Sequence, residues 1–188
     1  MKRNIPPGQQ FIKQFPVRTA EAEPTNIDPE TWVLKITGLV AKPASFSFKK
    51  IQSMGGIEVN SDFHCVETWS VPDNVWKGVR VRDLLEKVSI KPHARYAMIR
   101  SWGGYDSDVD LEALMADEAI LAWDRNGKPI EPEHGFPLRL IIPSRYAYKS
   151  VKWVVEIELM EKDRPGYWEK RGYHKRADVW AQERFDKK

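Results

Sequence analysis

A single cysteine, Cys65, serves the whole 188-residue chain. That excludes an internal disulfide, a zinc ribbon and a thioredoxin-type dithiol. The four histidines, at 64, 93, 134 and 174, fit no zinc spacing. No apolar run approaches the roughly 20 residues of a membrane-spanning helix. The opening MKRNIPPGQQ carries two basic residues without an apolar stretch behind them, so no secretory leader is expected. One unpaired thiol suits a reducing compartment, and the expected location is cytoplasmic. Thirty Lys and Arg against 27 Asp and Glu leave a net charge of +3 with no basic block. That is a poor basis for nucleic-acid binding but compatible with an anionic ligand.

What is present begins with a hydrophobic fraction of 41% and eight tryptophans, enough for one core. Residues 1–30 are rich in proline, charge and glutamine, with Phe11, Phe15 and Val17 as isolated anchors. They predict an extended arm, either disordered or wrapped on the domain through those side chains. Residues 31–188 read as one domain whose tail begins near 161.

Trp32–Gly38 alternates as a half-buried strand, and Ile57–Phe63 does so again and delivers Cys65 at its end. Asp83 is expected to cap a helix carrying Leu84, Leu85 and Val88, and Asp110 to open another carrying Leu111, Leu114 and Met115. Residues 119–130 read as a hairpin turning at Asp124-Arg125-Asn126-Gly127. Leu138–Ile142, between Pro137 and Pro143, reads as a central strand, and Val151–Leu159 as the last one. Strands with a few short helices between them predict an α+β class of mixed sheets.

Cys65 supports two readings: a small buried apolar side chain, or a thiolate ligand for a soft-ligated metal. His64 projects to the opposite face of the strand, so the two do not form a chelate. A second cluster lies between 134 and 153: His134, Arg139, Arg145, Lys149 and Lys152. Arg139 interrupts an apolar strand and is costly to bury without an anion. A phosphate gives guanidinium and ammonium groups a strong partner, and Ser150 adds a hydroxyl.

The segments FHCVETWS (63–70), VWKGVRVRDLL (75–85), SWGGY (101–105), AILAWDRNGKPI with EPEHGFPLRLIIPSRYAYKSVKWVVEIEL (119–159) and GYWEKRGYH (166–174) resemble the molybdopterin-binding domain of the sulfite oxidase-like oxidoreductases. The resemblance is to the small single-domain bacterial and archaeal type and covers most of residues 30–175. It implies a sulfite oxidase-type fold around one molybdenum. The molybdopterin would supply two sulfurs and Cys65 the third.

By the same resemblance, the cofactor contacts fall on Phe15, His64, Cys65, Ser101, His134, Arg139, Lys149, Ser150, Val151 and Lys152. His134 departs from the asparagine of some branches. Glu67 resembles the acid of the protein-methionine-sulfoxide-reductase branch. It would repel sulfite and could relay protons, or it is simply a surface acid. Tyr146 is the candidate active-site hydrogen-bond donor. Trp69, Trp102, Tyr105 and Tyr148 are candidates to wall the funnel.

The implied activity is oxygen-atom transfer to or from a small S- or N-oxide-type substrate. A separate haem, flavin or quinone-linked protein would carry the electrons. A non-catalytic molybdopterin scaffold is the alternative. The extra haem and dimerisation domains of larger members have no counterpart here, which predicts a monomer.

Overall fold

The computed structural model describes residues 4–186. The first three residues of the expected arm and the last two of the tail lie outside them. In chain order the elements are β1 (Gln10–Phe11), β2 (Val33–Gly38), β3 (Ala44–Ser47), α1 (Phe48–Gln52), β4 (Ile57–His64), β5 (Trp69–Arg80), α2 (Val81–Val88), β6 (Tyr96–Ser101), β7 (Asp106–Asp110), α3 (Leu111–Met115), β8 (Ile120–Arg125), β9 (Lys128–Pro129), β10 (Arg139–Ile141) and β11 (Val154–Met160). Single 3-10 turns occupy Pro132–His134, Ala147–Lys149 and Glu169–Arg171.

The strands form two mixed sheets. One runs β1-β5-β8-β10, with β4 on β5 and β9 on β8. The other runs β3-β2-β11-β6-β7. Pairing is antiparallel except for β1 with β5 and β2 with β11. β5 is the spine of the first sheet. It takes β4 along one edge, and β1 and β8 at opposite ends of the other. Gly78 of β5 permits the close approach to β8, because a Cβ there would lie 2.1 Å from the Leu121 carbonyl oxygen.

The main core gathers Leu34 and Ile36 of β2, Ile99 of β6, and Ile157 and Leu159 of β11 against α1 and α2. α2 buries Val81, Leu84, Leu85 and Val88. Each such side chain is worth about 1.5–3 kcal/mol of transfer free energy. A smaller cluster of Phe63, Trp76, Ile120, Ala122, Ile130 and Ile141 lies within the first sheet, and Phe15 of the arm packs on it.

Two expectations need correction. The N-cap of α2 is Arg80, not Asp83, which sits in the first turn and favours the helix through its dipole. β10 is not central. It ends the first sheet and pairs in it only with β8, although it is fully buried. Its burial comes from the following loop, where Leu140 N–H donates to the Val151 carbonyl at 2.9 Å. The expectation for α3 agrees with the structure: the Asp110 carboxylate accepts from Ala113 N–H at 2.8 Å as its N-cap.

Candidate functional site

β4 and β5 are joined through Cys65–Thr68. Cys65 N–H donates to the Trp69 carbonyl at 2.9 Å, Thr68 N–H donates to the Cys65 carbonyl at 3.1 Å, and Thr68 takes φ of 76°. The chain therefore reverses in a tight turn after Cys65. The buried thiol lines a cavity of about 300 Å³, and burial pushes its pKa up to about 11.

Groups from the 134–152 segment line the same cavity as the thiol. Arg139 and Lys152 both line the cavity and are both buried. Arg139 donates from one terminal nitrogen to the His134 carbonyl at 2.7 Å, while its Nε has no partner among the described residues. Its guanidinium also lies over the Phe63 ring at 4.8 Å. Burial, then the Arg125 charge, lowers its pKa to about 9. Lys152 Nζ donates to the Glu133 carbonyl at 2.6 Å. Burial, then Arg139, lowers its pKa to about 7.

The same causes, burial first and then Arg139 and Lys152, lower His134 to about 4, so its ring is neutral near pH 7. Ser150 Oγ accepts from Ile142 N–H at 3.1 Å, which leaves its O–H free to donate. Gly135 keeps this cluster tight. It takes φ of 115°, and a Cβ there would come within 3.0 Å of Lys152 and 3.2 Å of Arg139.

Five sequence candidates do not line the cavity. His64 donates from Nδ1 to Ser70 Oγ at 2.7 Å, Ser70 donates to Gln9 Oε1 at 3.1 Å, and Gln9 Nε2 donates to the Cys65 carbonyl at 3.0 Å. His64 thus braces the backbone of the Cys65 turn from behind. Lys149 is turned away from its neighbour Ser150. Its ammonium donates to the Asp108 carbonyl at 2.7 Å and to the Glu169 carboxylate at 2.5 Å, a fully buried group with no room for a ligand. Tyr146 is buried against Ala177 and Val179, beneath the Arg184 guanidinium at 4.7 Å. Ser101 lies behind Glu21, to whose carboxylate it donates. Trp102 is 58% exposed and outside the cavity, whereas Trp69, Tyr105 and Tyr148 line it.

The arm and the tail also line the cavity, through Phe15, an anchor named from the sequence, and through Arg18, Glu21, Trp168 and Tyr173, which no local pattern announces. Phe15 stacks on His134. Arg18 pairs with Glu67 at 2.8 Å, and the Trp69 indole donates to the same Glu67 oxygen at 3.0 Å. The indole bond, then Arg18, holds the Glu67 pKa below the usual carboxylate range, so Glu67 stays ionised near neutral pH. Trp168 and Tyr173 wall the cavity from the tail. The hydroxyls of Tyr105 and Tyr148 are committed to the backbone carbonyls of Tyr148 and His174, both at 2.6 Å. The Tyr173 hydroxyl has no partner among the described residues. Burial, with Cys65 and Glu67 nearby, raises its pKa and keeps it a donor.

The residues fit a phosphate-bearing metal cofactor. Arg139 and Lys152 are desolvated with no carboxylate in salt-bridge range among the described residues, a charge state that an anion would complete. No three His, Cys, Asp or Glu side chains converge to hold a metal among those residues, so a metal at Cys65 must bring most of its own ligands.

Three comparisons bear on this site. The model of the oxidoreductase molybdopterin binding domain matches residues 20–168. The chain is 39% identical over 181 residues to the uncharacterized oxidoreductase YuiH of Bacillus subtilis, covering 96% of this chain and 91% of that one. It is 29% identical over 171 residues to the protein-methionine-sulfoxide reductase catalytic subunit MsrP of Campylobacter jejuni, covering 81% of this chain and 57% of MsrP. The crystal structure of the sulfane dehydrogenase SoxCD from Paracoccus pantotrophus superposes with a TM-score of 0.69 at 21% identity, over 82% of this chain and 46% of that one, which shows the shared fold. A buried thiol facing uncompensated cations leaves the identity of the missing anion open, and the family match closes it: the chain belongs to the oxidoreductase molybdopterin-binding domain family and is a molybdopterin-dependent oxidoreductase.

Proposed function

We propose that the enzyme transfers an oxygen atom to or from a small, uncharged S- or N-oxide-type substrate. One observation carries this: the carboxylate of Glu67, two residues after Cys65, lines the cavity ionised and already holds Arg18. The pair presents no net positive charge to an anion such as sulfite, and an unpaired approach to Glu67 would repel one. The rest of that wall is aromatic, which suits a substrate with an apolar body and one strong acceptor oxygen.

Bound molybdopterin supplies two-electron oxygen-atom transfer at its molybdenum. The chain does the rest. Burial keeps Cys65 a thiol in the cofactor-free chain, and as the residue to hold the metal it would bind as the thiolate. Arg139, Lys152 and Ser150 are the groups to hold the cofactor phosphate. His134, neutral and stacked under Phe15, contributes a flat face. Tyr173 donates to the substrate oxygen from the tail side. Glu67, kept ionised, fixes Arg18 and is a poor proton carrier at neutral pH. Electrons pass to or from a separate electron-transfer protein, and the chain works as a monomer.

The test uses enzyme loaded in a molybdate-fed host. Reduced viologen is supplied with dimethyl sulfoxide or trimethylamine N-oxide, and ferricyanide with sulfite. Turnover of the neutral oxides, lost together with molybdenum in Cys65→Ser, is expected. Sulfite oxidation with inert S- and N-oxides would overturn the proposal.

A further inference from the structure

Glu21 belongs to the arm and lines the cofactor cavity. Its Oε2 accepts from two donors at once, the Ser101 hydroxyl and the Tyr105 N–H, the latter at 3.0 Å. Its own backbone is fixed by Thr19, whose hydroxyl donates to the Glu21 carbonyl at 2.8 Å and accepts from the Glu21 N–H at 3.2 Å. Gly103 makes room, because a Cβ there would lie 2.4 Å from Oε2. The carboxylate is therefore placed between the arm and the Ser101–Tyr105 turn. Its other oxygen, Oε1, has no hydrogen bond among the described residues.

The polar groups that the 134–152 segment adds to the same cavity are of the opposite kind. Arg139, Lys152 and the Ser150 hydroxyl are donors suited to a phosphate. A pterin ring carries a second recognition edge, its 2-amino group and N3–H, which only donates. We infer that Glu21 Oε1 accepts from this amino-pyrimidinone edge, so the chain grips its cofactor at two ends of opposite polarity. This goes beyond the oxygen-transfer reading and does not depend on the substrate. It rests on the family's cofactor together with the chain's own geometry.

Two soluble probes without phosphate or metal isolate the edge: 6-hydroxymethylpterin, and 6-hydroxymethyllumazine, in which a carbonyl replaces the 2-amino group. Cofactor-free protein is titrated with each by fluorescence, as wild type, Glu21→Gln and Gly103→Ala. A carboxylate facing a carbonyl loses a charge-assisted hydrogen bond, so wild type should prefer the pterin by about tenfold or more. Glu21→Gln, which offers an amide donor, should lose or reverse that preference. Gly103→Ala should weaken it by displacing the carboxylate with its charge intact.

Molybdopterin per chain, measured as oxidised-pterin fluorescence after expression in a molybdate-fed host, should fall in both variants. Melting temperatures of the cofactor-free proteins should match wild type, which separates recognition from folding. Equal affinity of wild type for the two probes, or a preference unchanged in Glu21→Gln, would overturn the inference. So would a rise in cofactor content in Glu21→Gln, which would make Glu21 an obstacle in the slot. None of these readouts involves turnover, so their failure leaves the oxygen-transfer proposal standing.

Discussion

Phe15 of the arm and His134 of the Pro132–His134 turn lie face to face, with 4.3 Å between ring centroids and 1° between planes. Phe15 also meets Phe63 edge-on at 5.0 Å and lies beneath the Arg125 guanidinium at 4.3 Å. The arm is therefore held to the site by a ring that touches both halves of it. Phe15→Ala should destabilise the cofactor-free protein by about 2–4 kcal/mol, less than a fully buried phenylalanine would. Urea unfolding measures this, and a change below about 0.5 kcal/mol would mean the arm is not anchored through Phe15.

Arg139 is a buried cation without a carboxylate partner, and such charges are kept for a ligand at the cost of stability. Arg139→Met should raise the stability of the cofactor-free protein by about 1–4 kcal/mol and abolish molybdopterin retention. Denaturation and pterin content are read on the same preparation. Loss of stability in the methionine variant would show that the guanidinium braces the fold rather than waits for an anion.

Lys152 gives a signed pH dependence. Its folded-state pKa is lowered to about 7, against about 10.4 for an unperturbed lysine. Between those values the unfolded chain binds a proton that the folded chain does not. The Lys152 contribution to stability therefore rises with pH across that window and is flat on either side. Subtracting the stability curve of Lys152→Met from that of wild type should leave this positive slope. A flat difference from pH 7 to 10 would refute the assignment. Inorganic phosphate should bind the wild type more tightly at pH 6 than at pH 8.

Lys149 answers to two buried carboxylates. Burial, opposed by Lys149 and reinforced by Glu169, raises Asp108 to about 7. Lys149→Met removes the cation and should cost about 3–5 kcal/mol. The double variant Lys149→Met with Glu169→Gln should recover part of that. A single variant as stable as wild type would show that the group carries no load.

Tyr173→Phe removes the one cavity tyrosine hydroxyl not committed to the backbone. Turnover should fall about ten- to a hundredfold, with cofactor content unchanged. Unaltered turnover would remove Tyr173 from the substrate's hydrogen bonds.

The sheets were legible where apolar residues alternate, because burial on one face imposes that period. Cys65 and Arg139 were legible for the opposite reason. A thiol at a strand end and a cation inside an apolar strand each break a pattern that packing alone would keep. What could not be read was the side of the backbone on which chain neighbours end. Lys149 and Ser150 are adjacent, yet a 3-10 turn sends one into an ion cluster and leaves the other at the cavity. His64 and Cys65, by contrast, part at the end of β4 as strand alternation predicts. Arg18, Glu21 and Tyr173 reach the cavity from segments with no period of their own, by contacts that span the chain and leave no local trace.

The cavity is walled by residues 15–21 at one end of the sequence and by Trp168 and Tyr173 near the other. During synthesis it is not enclosed until residue 173 has cleared the ribosome and settled on the sheets. The slot is therefore complete only once both ends of the chain have packed on the sheets, so the sheets alone do not enclose it.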